Sequence, residues 1–496
     1  MGTVPTAADA HPAAALLLRQ ARLVDGDQPV DVLLRDGRVA AVGADLTAAA
    51  GPRATHVPLD GRWLMPGLWD AHVHLTQWAL ARRRLDVSSA TSAAHAVSLV
   101  AAAPPPAPGT ALVGFGFRDG LWPDVPTAAL LDAAVGDVPV VLVSGDLHCA
   151  WVSTAGLRFL GVGSHPTGLL RESEWLPLQG AVDHVPDAVA DALVDDASAA
   201  AAARGVVGVV DLEIADNVAV WRRRAADRPG RLRVRAGVWE EYLDRVVRED
   251  LHTGDTVAGL VTQGPLKVIT DGSLNTRTAY CHDPYPGATG PNARGILAVP
   301  PSRLAPLMAH ATRHGLRCAI HAIGDAANSL ALDAFAASGA TGSIEHAQLV
   351  SWADVERFAS LGVVASVQPE HAMDDRDVAD RHWAGRTDRA FAFGALHRAG
   401  VRLALGSDAP VAPLDPWVAA DAAVTRSRDG RSPWHPEQAL DRRAALESSV
   451  DGRGLVPVVG APADLVVLDA DPLIAPLRGM PVAGTLVGGA WTYRDL

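Results

Sequence analysis

Residues 343–368 read SIEHAQLVSWADVERFASLGVVASVQ. A short apolar run closed by a histidine, SIEH (343–346), is followed by the amphipathic stretch SWADVERFASLG (351–362) and then by a second apolar run, VVASVQ (363–368). Strand, helix and strand in that order form a βα unit, which implies a parallel sheet.

The same pattern recurs along the chain. WLMPGLWDAHVH (63–74), VVGVVD (206–211), LRVRAGV (232–238), LKVITD (266–271), RCAIH (317–321) and RLALGSD (402–408) are further strand candidates, and alanine-rich helical stretches such as PSRLAPLMAHATRHG (301–315) follow most of them. Together with SIEH and VVASVQ they match the eight strands of a TIM-type (β/α)8 barrel, whose active site lies at the carboxyl ends of the strands. Periodicity alone leaves a doubly wound open sheet as the alternative. No GxxxxGK[ST] or GxGxxG loop follows any of these runs, which removes the usual nucleotide-binding reading.

The first and second strands are separated by about 130 residues, far more than a βα connection needs. Residues 76–205 are therefore expected to form an insertion with strands of its own, ALVGFGF (111–117) and VPVVLVSGD (138–146). It carries Trp122, Trp151 and Trp175, with Trp78 at its start. Rooted on the catalytic face, it reads as a lid or substrate wall. The prolines 104, 105, 106 and 108 read as a loop.

Outside the barrel, taken as residues 62–454, the two ends resemble each other. LLLRQARLVDG and VDVLLRDGRVAAVG near the start, and ADLVVLDADPL and VAGTLVGGAWTYRDL near the end, alternate like strands and are broken by turn signals. Residues 1–61 and 455–496 are expected to pair as one small β-sandwich domain.

The 496 residues are 49% hydrophobic and 20% charged, which fits a globular chain. A net charge of −13 argues against a nucleic-acid partner. Cys149, Cys281 and Cys318 form no metal-type pair, so no disulfide framework is expected and a reducing cytoplasm fits. The leading MGTVPTAADAHPAAALLL lacks a basic leader, and no apolar run approaches the ~18–20 residues of a membrane span. Of 43 basic residues, 42 are arginine; Lys267 is the single lysine.

Several strand ends carry metal-competent groups. His72 and His74 stand two apart, so on a strand they face the same side; Asp70 precedes them. His321 closes RCAIH, His346 closes SIEH, Asp408 closes RLALGSD, and Lys267 lies in LKVITD. Such a set converging on one barrel mouth points to a metal centre. A neutral lysine amine can take up carbon dioxide as a carbamate, an anionic oxygen ligand that bridges two cations. An always-protonated guanidinium cannot, which gives a reason for lysine to persist here. A buried lysine paired with Asp271 is the alternative.

In order along the chain stand the motifs MPGLWDAHVHL, LVSGDLHCAWVSTAGL, LKVITDGSLNTRTA, AIHAIGDAAN, IEHAQLV, GSDAPV and ADLVVLDADPL. The chain thereby resembles the amidohydrolase superfamily, in its family 3 branch of N-substituted formamide deformylase-like metal-dependent hydrolases. The resemblance implies hydrolysis of a C–N bond in an amide or N-substituted formamide through a metal-bridging hydroxide. A cyclic-amide, carbamate or ester hydrolase, or a silent metal-binding scaffold, is the alternative. It also implies two divalent cations, with zinc favoured by the ligand types and iron, manganese or cobalt compatible.

The implied roles are as follows. His72 and His74 hold the first cation, N6-carboxylated Lys267 bridges both, and His321 and His346 hold the second. Asp408 contacts the first cation and shuttles the proton. His148 is expected to meet the substrate carbonyl, a core or surface histidine being the alternative. Arg277 is expected to bind a substrate carboxylate, or else to pair with Asp271 or Asp325. Trp78 is expected at the substrate. His310, His314, His371 and His435 are expected to be solvated or structural. Ser153 and Asn275 depart from the family pattern and bear on the substrate rather than the ligands. The expected partner is a small amide-type molecule, and the expected assembly a homodimer.

Overall fold

The computed structural model of the protein describes residues 15–107, 109–183, 185–228 and 230–496. The reading of the leading segment through residue 14, and Pro108 of the proline loop, lie outside the described residues.

Eight parallel strands make the central sheet: β1 (Leu68–Val73), β2 (Val206–Asp211), β3 (Arg233–Trp239), β4 (Val261–Ile269), β5 (Cys318–Ala322), β6 (Gly342–His346), β7 (Val364–Val367) and β8 (Leu403–Leu405). Each pairs with its successor in the chain. The ends of β8 and β1 are then tied together. The Asp408 amide donates to the His72 carbonyl at 2.7 Å, and the His74 amide donates to the Ala409 carbonyl at 2.8 Å. That closure settles the choice left open by periodicity, because an open doubly wound sheet has two free edges and this one joins its first strand to its last.

The unit quoted first folds as its pattern predicts. β7 is buried along its whole length, and the helix Trp352–Leu361 covers the outside of the sheet through Val355 and Phe358. It stops at Gly362, whose φ of 65° is left-handed and cheap only for glycine.

WLMPGLWDAHVH does not form one strand. Trp63–Pro66 pairs antiparallel with Leu465–Leu468, and only Leu68–Val73 enters the barrel. The break falls at Gly67, where a Cβ would lie 2.1 Å from Val207 Cγ1. Only a residue without a side chain lets the chain cross so close to β2. The expected domain boundary after residue 61 therefore moves a few residues along, since Trp63–Pro66 belongs to the smaller sheet.

That smaller sheet is built from both ends of the chain. Its order is Ala490–Arg494, Val482–Val487, Leu465–Leu468, Trp63–Pro66, Leu16–Leu23, Val30–Arg35 and Arg38–Gly43, with Thr55–Pro58 also on Leu16–Leu23. Leu18, Val32, Leu64, Leu465, Val467 and Leu486 share one core. Buried Asp464 anchors it to the barrel by accepting from Arg233 on β3 at 2.7 and 3.0 Å.

Between β1 and β2 the insertion forms a five-stranded sheet from Leu85–Asp86, Leu112–Phe117, Val140–Ser144, Cys149–Val152 and Leu169–Arg171. Trp151 is buried in the core on one face and Trp175 on the other. All three cysteines are buried and unbridged. No helix among the described residues is long and apolar enough to cross a membrane.

Candidate metal centre

His72, His74, Lys267, His321, His346 and Asp408 line a single cavity of about 370 Å³ at the carboxyl ends of the strands. The His72 and His74 rings lie 5.6 Å apart, and their Nε2 atoms approach Asp408 Oδ1 to 3.4 and 3.3 Å. His346 stands 4.9 Å from His72 and 4.4 Å from His321, ring to ring. His346 is the last residue of β6 and has φ 73°; Asp408 lies beyond β8 and has φ 57°. Left-handed backbone at non-glycine residues costs on the order of 1–3 kcal/mol each, and strain of this kind gathers at functional sites.

Four buried polar atoms of these residues have no hydrogen-bond partner: Lys267 Nζ, His74 Nδ1, His321 Nε2 and His346 Nδ1. Each orphaned group costs about 1–3 kcal/mol, so the cluster calls for a ligand. Its donors, imidazoles and one carboxylate, suit a divalent cation such as zinc. Burial, aided by the Lys267 charge, pushes His72 down to about 4. Burial and the neighbouring His321 hold His346 well below its ordinary value. Neutral imidazoles are what a cation needs. Burial works against charge on Asp408, but His72, His74 and His346 outweigh it and hold the carboxyl well below the usual range. Burial also lowers Lys267. The Glu345 and Asp408 carboxylates oppose that shift from a distance without hydrogen-bonding the amine, and Asp271 is occupied elsewhere. It accepts from the amides of Tyr280, Ile323 and Gly324 at 2.9–3.0 Å and sits 3.3 Å from His321 Nε2.

The insertion supplies the opposite wall, including Arg118, Asp146, Leu147, His148, Glu172 and Leu176. His148 Nδ1 meets Glu172 Oε2 at 3.0 Å. Burial disfavours the imidazolium, but the Glu172 carboxylate prevails and raises His148 to about 9. A folded value above the unfolded one stabilises the fold fully below about pH 6.5. That contribution is lost as pH rises through about 9. The pH profile of thermal unfolding is expected to slope downward across this window in the wild type and to flatten in His148→Gln. An identical slope in both proteins refutes the assignment.

Two expected substrate contacts are elsewhere. Trp78 packs beside Val194 and Ala197 with the Arg82 guanidinium 5.1 Å above its ring, and does not line the cavity. Its place on the helix Leu75–Ala81 turns it onto the layer behind β1 and β2. Arg277 is exposed on a left-handed turn and does not line the cavity either. The arginine that does is Arg118, which donates to Asp374 at 2.9 Å. Asn275 lines the cavity, whereas Ser153 caps the helix Thr154–Phe159 by accepting from the Gly156 amide.

His371, expected to be solvated or structural, is buried and faces the cavity. Glu345 was not anticipated at all. It is buried and meets His72 Nδ1 at 2.8 Å, fixing that ring so that Nε2 turns to Asp408. A carboxylate behind an imidazole in this manner orients a metal ligand and raises its basicity. Its adjacency to His346 in SIEH was the available signal, but alternation puts neighbouring residues on opposite faces.

A family model described as amidohydrolase family matches residues 56–493. Protein LONG AFTER FAR-RED 3 of Arabidopsis thaliana is 30% identical over 445 residues, covering 79% of this chain and 74% of its own length. N-substituted formamide deformylase of Arthrobacter pascens is 26% identical, covering 93% and 94%. Among solved structures, an uncharacterized metal-dependent hydrolase from Pyrococcus horikoshii superposes with a TM-score of 0.77 at 26% identity, over 94% of this chain and 99% of that one.

Proposed function

Since the chain belongs to the amidohydrolase family, and is thus a metal-dependent hydrolase acting on carbon–nitrogen bonds, we propose that it cleaves a small neutral amide with an apolar substituent, N-substituted formamides being the class to test first. The observation that carries this reading is the convergence of six side chains from five strands on one cavity, with the buried Lys267 amine unpartnered among them. The relative named for deformylation supports the formamide class. So do the walls: Leu147, Leu176, Ile214, Leu274 and Ile296 are apolar, and the Arg118 guanidinium is already held by Asp374. A substrate carboxylate would find no unpaired arginine among these lining residues.

The proposed roles are these. His72 and His74 would hold one divalent cation and His321 and His346 a second, and Lys267, as a carbamate, would supply an anionic oxygen ligand to both. Its neutral Nζ adds to carbon dioxide, a C–N bond forms, and the displaced proton leaves to water. When bound, the cations acidify a water and polarise the scissile carbonyl. Asp408 takes the proton released by that water and returns it to the departing nitrogen. The His148 imidazolium donates to the carbonyl oxygen as it gains charge. In the accompanying domain division, both ends of the chain, residues 15–66 and 455–496, form a small β-sandwich beside the barrel, which carries the insertion 76–205.

The test pairs elemental analysis with a substrate panel. Protein purified without chelator is expected to carry about two zinc-type ions per chain, to lose activity on chelation, and to turn over N-alkyl or N-aryl formamides. Metal-loaded protein that hydrolyses esters, carbamates or cyclic amides but no open-chain amide would overturn the substrate assignment.

A further inference from the structure

The seventh barrel strand contributes nothing to the ligands assigned above, yet a histidine follows it. β7 ends at Val367, and the chain enters the helix Pro369–His382, whose first turn carries His371. This side chain is 6% exposed, and Nε2 has no hydrogen-bond partner. The ring lies nearly parallel to His346, 6.2 Å between centroids and 16° between planes. Nε2 stands 4.0 Å from Asp408 Oδ2, whereas His72 and His74 approach Oδ1.

The Asp408 carboxylate thus faces two sets of imidazoles through its two oxygens. Ligand atoms of His72, His74 and Asp408 fall within 4.8 Å of one another, and so do those of His346, His371 and Asp408. His321 belongs to neither trio and leans on Asp271. Bonds of ~2.0–2.2 Å around a zinc-sized ion place its ligand atoms roughly 3–4 Å apart. Modest side-chain rotation therefore closes either trio on a cation. The two trios meet the same requirement by the same residue chemistry, and only the first was visible as an HxH pair.

We propose that His371 is a metal ligand, completing with His346 and Asp408 the coordination of the second cation, so that Asp408 spans both ions. The ion expected is divalent and tolerant of imidazole and carboxylate together, such as zinc or cobalt(II). The inference rests on the reading of the cavity as a two-cation centre and adds a ligand that reading lacks.

Cobalt(II) is the probe, because its visible absorption reports ligand number and type. The full chain, stripped and reloaded, is titrated against a competing chromophoric chelator. Wild type is expected to bind two ions. His371→Ala is expected to keep the tighter ion and to bind the weaker one at least ~10–100-fold less well, since even loss of an outer-shell partner costs that much. In His371→Cys, a thiolate-to-cobalt charge-transfer band in the near ultraviolet is expected with the second equivalent, a signal that a merely structural histidine could not give. Two ions bound by both variants with wild-type affinity, and no such band, would overturn the role of His371 while leaving the two-cation centre intact. Fewer than two ions in the wild type would bring down the centre and this inference together.

Discussion

Lys267→Arg is expected to lose activity by on the order of 10³-fold or more, above the ~10²–10³ typical for removing one transition-state donor. The side chain is 2% exposed, and its amine has no partner. Lysine tolerates that place because burial lowers its pKa and lets the amine shed its proton. A guanidinium stays charged, so the variant buries an uncompensated cation at a cost of about 3–5 kcal/mol and cannot form a carbamate. Lys267→Met separates the two effects. It should keep the thermal stability of the wild type and still lose the activity and the second cation. Growth or exchange in ¹³C-bicarbonate is expected to give one carbamate resonance in wild type and none in Lys267→Met. Full activity and metal content in Lys267→Met would refute the bridging role.

Asp408→Asn is expected to lower kcat by about 10²–10⁴-fold, the usual contribution of a positioned acid–base group. The asparagine keeps the size of the side chain but cannot take the proton. Because the loss falls on the reaction step, kcat and kcat/KM should decline together with KM little changed. A fall in kcat/KM through KM alone would assign Asp408 to substrate binding. The variant is also expected to hold its cations less tightly, since both carboxylate oxygens face imidazoles across distances of 3.3–4.0 Å. Rates must therefore be measured at saturating metal.

The six residues expected as ligands, which line one cavity, were legible because they sit where local rules apply. Two-residue alternation pairs His72 with His74, and polar endings on apolar runs flag His321, His346 and Asp408. The single lysine among 43 basic residues stood out by composition. Trp78 and Arg277 misled because nearness in sequence to a ligand strand does not give direction. One side chain turned onto a helix–sheet interface, and the other onto an exposed turn. His371 and Glu345 were missed for a related reason. The first is delivered by a helix start rather than a strand end, and the second faces the barrel interior from beneath His72.

The amino-acid sequence by itself determined the βα repeat, the family, the insertion after the first strand and the residue types of the site. These follow from periodicity and chemistry within short windows. Tertiary structure alone decided that the sheet closes, through backbone bonds joining residues 72–74 to 408 and 409. It also decided that His346 and Asp408 enter the cavity on left-handed backbone, and that His371 stands 4.0 Å from Asp408. Contacts between residues hundreds of positions apart leave no local period to read, because they are fixed by how the packed elements meet.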